Sequence, residues 1–204
     1  MEPDAVEIRV VGCLVEKQRT TPDAYPLSLN ALRLACNQST NRDPVVAYEE
    51  AEVGEALRRL ALRGWTRLAS GAGSRARKYR QLLPEALGVD EEELALLAVM
   101  MLRGPQTPGE LKQRSERLHP FADLGAVQQT LERLLERDLI VRQPRRPGQK
   151  EERYEQVLGG GGEDETAAPS PSVAPEEDRL ERLERELAEL RAQVASLREA
   201  LGEN

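Results

Sequence analysis

The sequence predicts a mainly α-helical protein with small β hairpins, an α+β fold in which one structural unit occurs twice. Three observations carry this prediction: an internal repeat, the same order of helix and strand patterns in each copy, and an abrupt change of composition at Gly159. Aromatic residues make up only 3% of the chain. The core must therefore be aliphatic, which suits short helices packed on one another.

The internal repeat is clearest in the helix that precedes each hairpin. The apolar residues Val53, Leu57 and Leu60 and the arginines Arg59 and Arg63 of the first copy recur as Val127, Leu131, Leu134, Arg133 and Arg137. Two strand-like segments follow in each copy, at Trp65–Leu68 and Lys78–Leu83 and at Leu139–Val141 and Arg153–Leu158. This self-similarity indicates a duplicated unit of about 75 residues.

Each copy has the order helix, helix, helix, hairpin. The first helices carry apolar residues at helical spacing, and the second follow a Thr-Pro start signal at Thr21 or Thr107. The second helices are predicted at 28–37 and 109–118, and the third at 49–63 and 123–137. This is the order of the winged helix-turn-helix. We therefore predict two tandem winged-helix domains, at 1–86 and 87–158.

The composition changes at Gly159. Residues 159–177 are rich in Gly, Pro, Ser and acidic residues and are predicted to be a disordered linker. From 178 to 202 an a/d heptad seam predicts a coiled-coil helix and a homodimer. The seam consists of Leu180, Leu183, Leu187, Leu190, Val194, Leu197 and Leu201. An amphipathic helix folded onto the body is the alternative, but the strict period favours the coiled coil.

The charge of the chain is unevenly distributed. The net charge is −7, but the tail from Gly159 holds 12 acidic and 5 basic residues, so residues 1–158 are neutral overall. A neutral body can still carry a local basic patch, and local charge decides nucleic-acid binding.

Several classes of function are disfavoured by what the sequence lacks. No apolar run reaches about 18 residues, and the N-terminus lacks the pattern of a signal peptide. Cys13 and Cys36 lie in apolar helical patterns, as reduced buried thiols of a cytoplasmic protein do. One histidine and two cysteines without ligand spacing predict no metal. No nucleophile motif or phosphate loop occurs, so we expect neither enzymatic activity nor a cofactor.

The first wing is the strongest candidate for DNA contact. From Thr66 to Arg80 it contains no acidic residue, and its cations are Arg67, Arg75, Arg77, Lys78 and Arg80. Cations on an exposed hairpin suit phosphate contacts. An ordinary charged hairpin edge is the alternative. The second wing is less one-sided, because Glu151 and Glu152 accompany its cations. The cations offered there as DNA contacts are Arg142, Arg145, Arg146 and Lys150.

The third helices of the two copies differ in chemistry. The second copy offers Gln128, Gln129 and Arg133, which are capable of base contacts. The first copy begins with four carboxylates, Glu49, Glu50, Glu52 and Glu55. These complement the helix dipole but would repel phosphates. The acidic helix favours a rival function, in which the winged helices bind a protein.

Long stretches of the chain resemble the YceH-type family of bacterial proteins, which has no assigned function. The resemblance is carried by residues 15–32, 35–38, 41–44, 102–111, 119–123 and 147–154. It implies tandem winged helices over about residues 6–158 and no particular activity. The linker and the C-terminal helix look like an addition to the shared core.

The sequence therefore supports two hypotheses. The first is a DNA-binding winged-helix protein, such as a transcriptional regulator, that binds double-stranded DNA and dimerises through its C-terminal coiled coil. The second is a non-enzymatic scaffold whose winged helices bind a protein partner, as in chromosome-segregation accessory proteins. Fold alone does not decide between them.

Overall fold

A computed structural model describes residues 2–69, 77–144 and 151–159. All of these lie within one unit, Met1–Gly162. The α+β class predicted from the sequence is confirmed. The first half contains α1 (Ala5–Thr20), a 3-10 turn (Pro22–Ala24), β1 (Leu27–Ser28), α2 (Leu29–Cys36), α3 (Glu50–Leu62), β2 (Thr66–Leu68) and β3 (Lys78–Gln81).

The second half repeats this order. After the short helix α4 (Leu83–Leu87) come α5 (Glu91–Arg103), α6 (Pro108–Ser115), α7 (Leu124–Glu136), β4 (Ile140–Gln143) and β5 (Arg153–Gln156). Ser28 caps α2 by accepting a hydrogen bond from the amide of Ala31, and Thr107 caps α6 through the amide of Glu110. The Thr107 cap and the proline after it account for the helix start that the sequence predicts there.

The two hairpins have matching strand registers. In the first half β3 lies between β1 and β2, and Tyr79 is opposite Leu27 on one side and Leu68 on the other. In the second half β5 pairs with β4, and Tyr154 is opposite Arg142. An isolated bridge on its other side joins Tyr154 to Gln106, which precedes the cap of α6 as Leu27 precedes the cap of α2. The two tyrosines therefore occupy equivalent positions, as the repeat predicts.

The repeat extends to an ionic contact between the first and third helices of each half. Asp4 and Glu7 form a capping box at the start of α1. The Glu7 carboxylate, only 2% exposed, lies 3.2 Å from Nε of Arg59 and 3.3 Å from Nε of Arg63. This contact, the capping clamp, ties the start of α1 to α3.

The second half has the same clamp. Asp90 and Glu93 form the capping box of α5. The Glu93 carboxylate lies 3.7 Å from Nε of Arg133 and 3.0 Å from Nη1 of Arg137. Sequence reasoning matched the arginines but missed their carboxylate partners. The signal is nevertheless present, because Asp-x-x-Glu recurs at the start of both first helices.

The two halves share a core in which α1 packs against α5. Both helices are buried over most of their length, Ile8–Val15 in α1 and Leu94–Leu102 in α5. The contact is closest at Gly12, where a Cβ would lie 3.0 Å from Cβ of Met101 and 3.2 Å from Leu102. Glycine at this position lets the two helices approach each other.

Three predicted boundaries were wrong. The second strand of the first hairpin was expected to run to Leu83 but ends at Gln81, because Pro84 in the first turn begins α4 and Leu83 is fully buried. The corresponding strand of the second half ends at Gln156 rather than Leu158, where the side chain of Gln156 accepts from the amide of Leu158. Helix α6 ends at Ser115 rather than Leu118.

Candidate nucleic-acid interface

The first hairpin gathers cations on its outer face. Alternate residues of a strand point to opposite faces, and the buried pair Thr66 and Gln81 marks the inner face. Arg67 and Arg80 lie directly opposite each other in the register between these strands. They therefore share the outer face, where Lys78 also lies, two residues before Arg80.

The described strands of this hairpin do not balance the charge of Arg67 and Arg80. Neither β2 nor β3 contains an acidic residue, and like charges directly opposite each other destabilise a strand pair. Among the described residues no carboxylate forms an ion pair with Arg67, Arg77 or Arg80, and the buried Nε of Arg80 has no hydrogen-bond acceptor there. Such an arrangement suits an anion that neutralises both cations. Arg75 lies outside the described residues.

The cations of the second hairpin already have partners. Arg142 lies 5.9 Å from the centre of the Tyr154 ring and pairs with Glu152 at 3.5 Å. Arg153 pairs with Glu110 at 2.9 Å and donates to the carbonyl of Pro105. The predicted contacts Arg145, Arg146 and Lys150 lie outside the described residues. The described part of the second hairpin therefore has less unbalanced charge than the first.

Helix α7 brings two of its three predicted base readers to the surface. Gln128 and Gln129 are both exposed. Arg133 instead turns toward the start of α5, where its Nη2 lies 2.9 Å from Glu92 and 3.3 Å from Asp90. Arg133 is therefore already paired with carboxylates of α5 and its cap, and only Gln128 and Gln129 remain as candidates for base contact.

Gln128 lines a cleft of about 200 Å³. The cleft lies between the start of α6, the start of α7 and strand β5, and Leu124, Glu152 and Tyr154 also line it. Its wall combines an amide, carboxylates and an aromatic ring. The surface around Gln128 is therefore recessed and of mixed polarity.

Helix α3 presents carboxylates at the position equivalent to the start of α7. Glu49 and Glu52 form a capping box, which accounts for two of the four carboxylates noted in the sequence. Glu50 is exposed, and Glu55 pairs with Arg58 on the same helix. At the far end of α3, Leu62 is 80% exposed.

The remaining predictions concern the coiled coil, metal binding and membrane spans. The heptad residues from Leu180 to Leu201 lie outside the described residues, so the coiled coil stays a prediction. Within the described ranges no cluster of three or more His, Cys, Asp or Glu side chains is suited to a metal ion. No helix of the same residues is long and apolar enough to cross a membrane.

The chain belongs to a protein family of unknown function, DUF480, whose family model matches residues 4–149. A UPF0502 protein of Geobacter metallireducens is 49% identical over 90% of this chain and 88% of its own length. The UPF0502 protein YceH of Salmonella paratyphi B is 44% identical over 99% of both chains. These matches confirm the resemblance drawn from the sequence.

The same comparisons also bear on the tail from residue 159 onward. A UPF0502 protein of Geotalea uraniireducens is 48% identical over all of this chain and 96% of its own length. The match therefore runs through the linker and the heptad segment. The relative therefore has counterparts of these segments, while the family model ends at residue 149 and leaves them outside the core that it describes.

Proposed function

We propose that this chain is a cytoplasmic, non-enzymatic tandem winged-helix protein that binds double-stranded DNA. The two halves, 1–86 and 87–158, are its winged-helix domains, and β2–β3 and β4–β5 are their wings. The outer face of the first wing contacts phosphates. The exposed side of α7 contacts base edges, and the C-terminal heptads make the protein a homodimer.

The observation that carries this proposal is the cross-strand pair of Arg67 and Arg80 with Lys78 beside it. Holding cations opposite each other without a carboxylate costs stability. A phosphate backbone supplies the missing negative charge, and most contacts between protein and DNA go to phosphate and sugar. Arg142 and Arg153 of the second wing already pair with carboxylates, so they leave less positive charge for a phosphate to neutralise.

Affinity and specificity are assigned to different halves. The first half supplies phosphate contacts from its wing, while its α3 carries carboxylates that repel phosphate. The second half supplies Gln128 and Gln129, whose amides pair well with adenine in the major groove. Most of the affinity for duplex DNA therefore comes from the first half, and most of the sequence recognition comes from the second.

The phosphate contacts are tested by changing Arg67 and Arg80 to alanine together. Fluorescence anisotropy with a mixed-sequence duplex is measured over a series of salt concentrations. Each neutralised phosphate contributes about 0.9 to the slope of log affinity against log salt, so the slope should flatten by about 2. The matched control, Arg67→Lys with Arg80→Lys, keeps the charge and should keep the slope. A slope and affinity equal to those of the parent would refute the first wing as the phosphate contact, and absence of duplex binding by the parent at low salt would refute DNA as the ligand.

The base contacts are tested by changing Gln128 and Gln129 to alanine. Selection from a random duplex library should then show weaker preference at particular base pairs, because each well-placed amide contributes about 1–3 kcal/mol of discrimination against the wrong base. The salt slope should stay unchanged, because the amides carry no charge. Gln113→Ala alters an exposed amide on α6 and serves as the control.

Dimerisation through the tail is tested separately. Leu187→Asp with Leu197→Asp would bury two charges in the seam and should give monomers by sedimentation. A dimer that survives this change would place the interface in residues 1–158. The predicted 19-residue linker has a root-mean-square end-to-end distance of roughly 24 Å. Residues 1–158 of each protomer should therefore bind DNA with little constraint from the other protomer.

A protein-binding scaffold is the second candidate. It is favoured by the acidic surface of α3 together with the 80% exposed Leu62 at its end. A basic, partly apolar segment of a partner would complement that surface. If duplex binding is absent at low salt, α3 is the first surface to probe, with Glu50→Lys and Leu62→Ser as the variants that should release the partner.

A further inference from the structure

The two halves also meet at a junction that the proposed DNA contacts do not use. On its first-half side, in the segment after α2, the amide of Asp43 donates to the carbonyl of Leu102 at 2.9 Å. On its second-half side, at the end of α5, Nη2 of Arg103 donates to the side-chain oxygen of Asn41. All four residues lie in stretches that carry the resemblance to the family, so part of that resemblance is located at the junction.

Gln106 organises the second-half side of the junction. It is 2% exposed, and its side-chain nitrogen donates to the carbonyls of Arg103, Gly104 and Pro105 at 3.0, 3.3 and 2.9 Å. Its side-chain oxygen accepts a hydrogen bond from Arg114 of α6. One buried amide therefore holds the Arg114 guanidinium beside the backbone of Arg103.

The cations on this side outnumber their carboxylates. Glu110 of α6 is shared, because it lies 3.5 Å from Arg114 and 2.9 Å from Arg153. Arg103 forms no ion pair with a carboxylate of the described residues. Burial lowers the pKa of Arg103, and the charges of Arg114 and Arg42 lower it further. Arg103 is therefore a partly buried cation whose strongest charge interactions are repulsive.

The first-half side does not supply the missing negative charge. Its carboxylate Glu16 is shared between Arg42, at 2.6 Å, and Lys17, at 3.2 Å. Asp43 is close enough to act on the charge of Arg103, but it forms no ion pair within the described ranges. Across the two sides of the junction five cations therefore face three carboxylates.

We propose that the junction is a binding site for a phosphate group, held between Arg103 and Arg114. A phosphate dianion matches the excess of positive charge, and the guanidinium fork fits the geometry of phosphate oxygens. Both arginines keep an Nε–H group without an acceptor among the described residues, and so does the side-chain nitrogen of Asn41. The site is open to solvent, because the Arg114 side chain is 30% exposed.

The phosphate group belongs either to a small phosphorylated molecule or to the backbone of DNA. In both cases it would contact Asn41 of the first half and Arg114 of the second. A ligand that binds only the folded junction stabilises the folded protein. The site would therefore strengthen the connection between the two halves.

The experiment titrates inorganic phosphate into the full-length protein at constant ionic strength and follows the arginine Nε–H signals by nuclear magnetic resonance. The signals of Arg103 and Arg114 should shift along a saturating curve. The signal of Arg117 should stay constant, because this exposed arginine forms no ion pair in the part of the chain that the structure describes.

Variants test the role of the charge. Arg103→Gln should weaken phosphate binding about tenfold or more, because it removes charge-assisted hydrogen bonds. Arg103→Lys keeps the charge but loses the fork and should bind with intermediate affinity. Arg117→Gln is the matched control: it removes the same charge from an exposed arginine and should bind phosphate as the parent does.

Duplex DNA identifies the source of the phosphate group. If the group belongs to DNA, Arg103→Gln with Arg114→Gln should flatten the slope of log duplex affinity against log salt by about 1, since one phosphate contact is lost. An unchanged slope assigns the site to a small phosphorylated molecule. The phosphate titration contains no DNA, so its result is independent of whether the protein binds a duplex.

Two results would overturn the proposal. One is a parent protein in which the signals of Arg103 and Arg114 respond to phosphate no more than that of Arg117. The other is an Arg103→Gln variant that is folded by circular dichroism and binds phosphate as tightly as the parent. The first comparison uses only the parent sequence, so it remains decisive if a variant fails to fold.

Discussion

Glu7→Gln is expected to destabilise the protein through the capping clamp. The substitution keeps the size of the side chain and removes the charge that Arg59 and Arg63 contact. Breaking a fully buried ion pair by removing one partner costs about 3–5 kcal/mol. The Glu7 side chain is 2% exposed, but the two arginine side chains are 30% and 25% exposed and regain some hydration. We therefore expect a loss of about 2–3 kcal/mol in the free energy of unfolding.

Urea denaturation followed by circular dichroism measures this loss. Glu93→Gln should cost a similar amount, because Glu93 holds Arg133 and Arg137 in the equivalent clamp. The matched control is Glu132→Gln, which removes an exposed carboxylate of α7 that forms no ion pair among the described residues and should leave the midpoint unchanged. The clamp would be refuted as a stabilising contact if Glu7→Gln shifted the midpoint no more than the control does.

Two further predictions concern the body of the protein. Gly12→Ala should lower the free energy of unfolding by about 1–3 kcal/mol, because the new Cβ would lie 3.0 Å from Cβ of Met101. Gly54→Ala is the control: the nearest atom to its Cβ is 3.8 Å away, so the free energy of unfolding should stay unchanged or rise. Equal losses in the two variants would contradict the close approach of α1 and α5. Burial raises the pKa of Glu16, but the hydrogen bond and charge of Arg42 lower it further, below its ordinary 4.5. The stability that this shift contributes is therefore present above about pH 4.5 and is lost as the pH falls through the folded-state pKa. In Glu16→Gln the free energy of unfolding should therefore depend less on pH below about 4.5. A variant whose stability falls with acid as steeply as that of the parent would refute this role of Glu16.

The order of elements could be predicted from the sequence because it depends on local signals. Apolar spacing located α3 and α7 to within one residue at each end, and the Thr-Pro pair at Thr107 marked the start of α6. The strand that ends at Gln81 was predicted two residues too long, because apolar residues such as Leu82 and Leu83 fit either a strand or a helix. Only Pro84 and the burial of Leu83 against the helices distinguish the two.

The candidate interface was predictable in part. The unbalanced charge of the first wing follows from composition, since no acidic residue occurs between Thr66 and Arg80. The pairing of Arg67 with Arg80 required the strand register. The role of Arg133 required the tertiary structure, because its carboxylate partners lie about 40 positions earlier in the chain, at Asp90 and Glu92.

The sequence by itself therefore determined the repeat, the element order, the charge balance of the body and the family. These properties are written in the spacing of neighbouring residues and in their composition. Only the tertiary structure decided which charges are already neutralised. Arg42 pairs with Glu16, which lies 26 positions earlier, and no local pattern marks either residue as the partner of the other. Long-range contacts of this kind arise from the packing of α1 on α2, which periodicity does not encode.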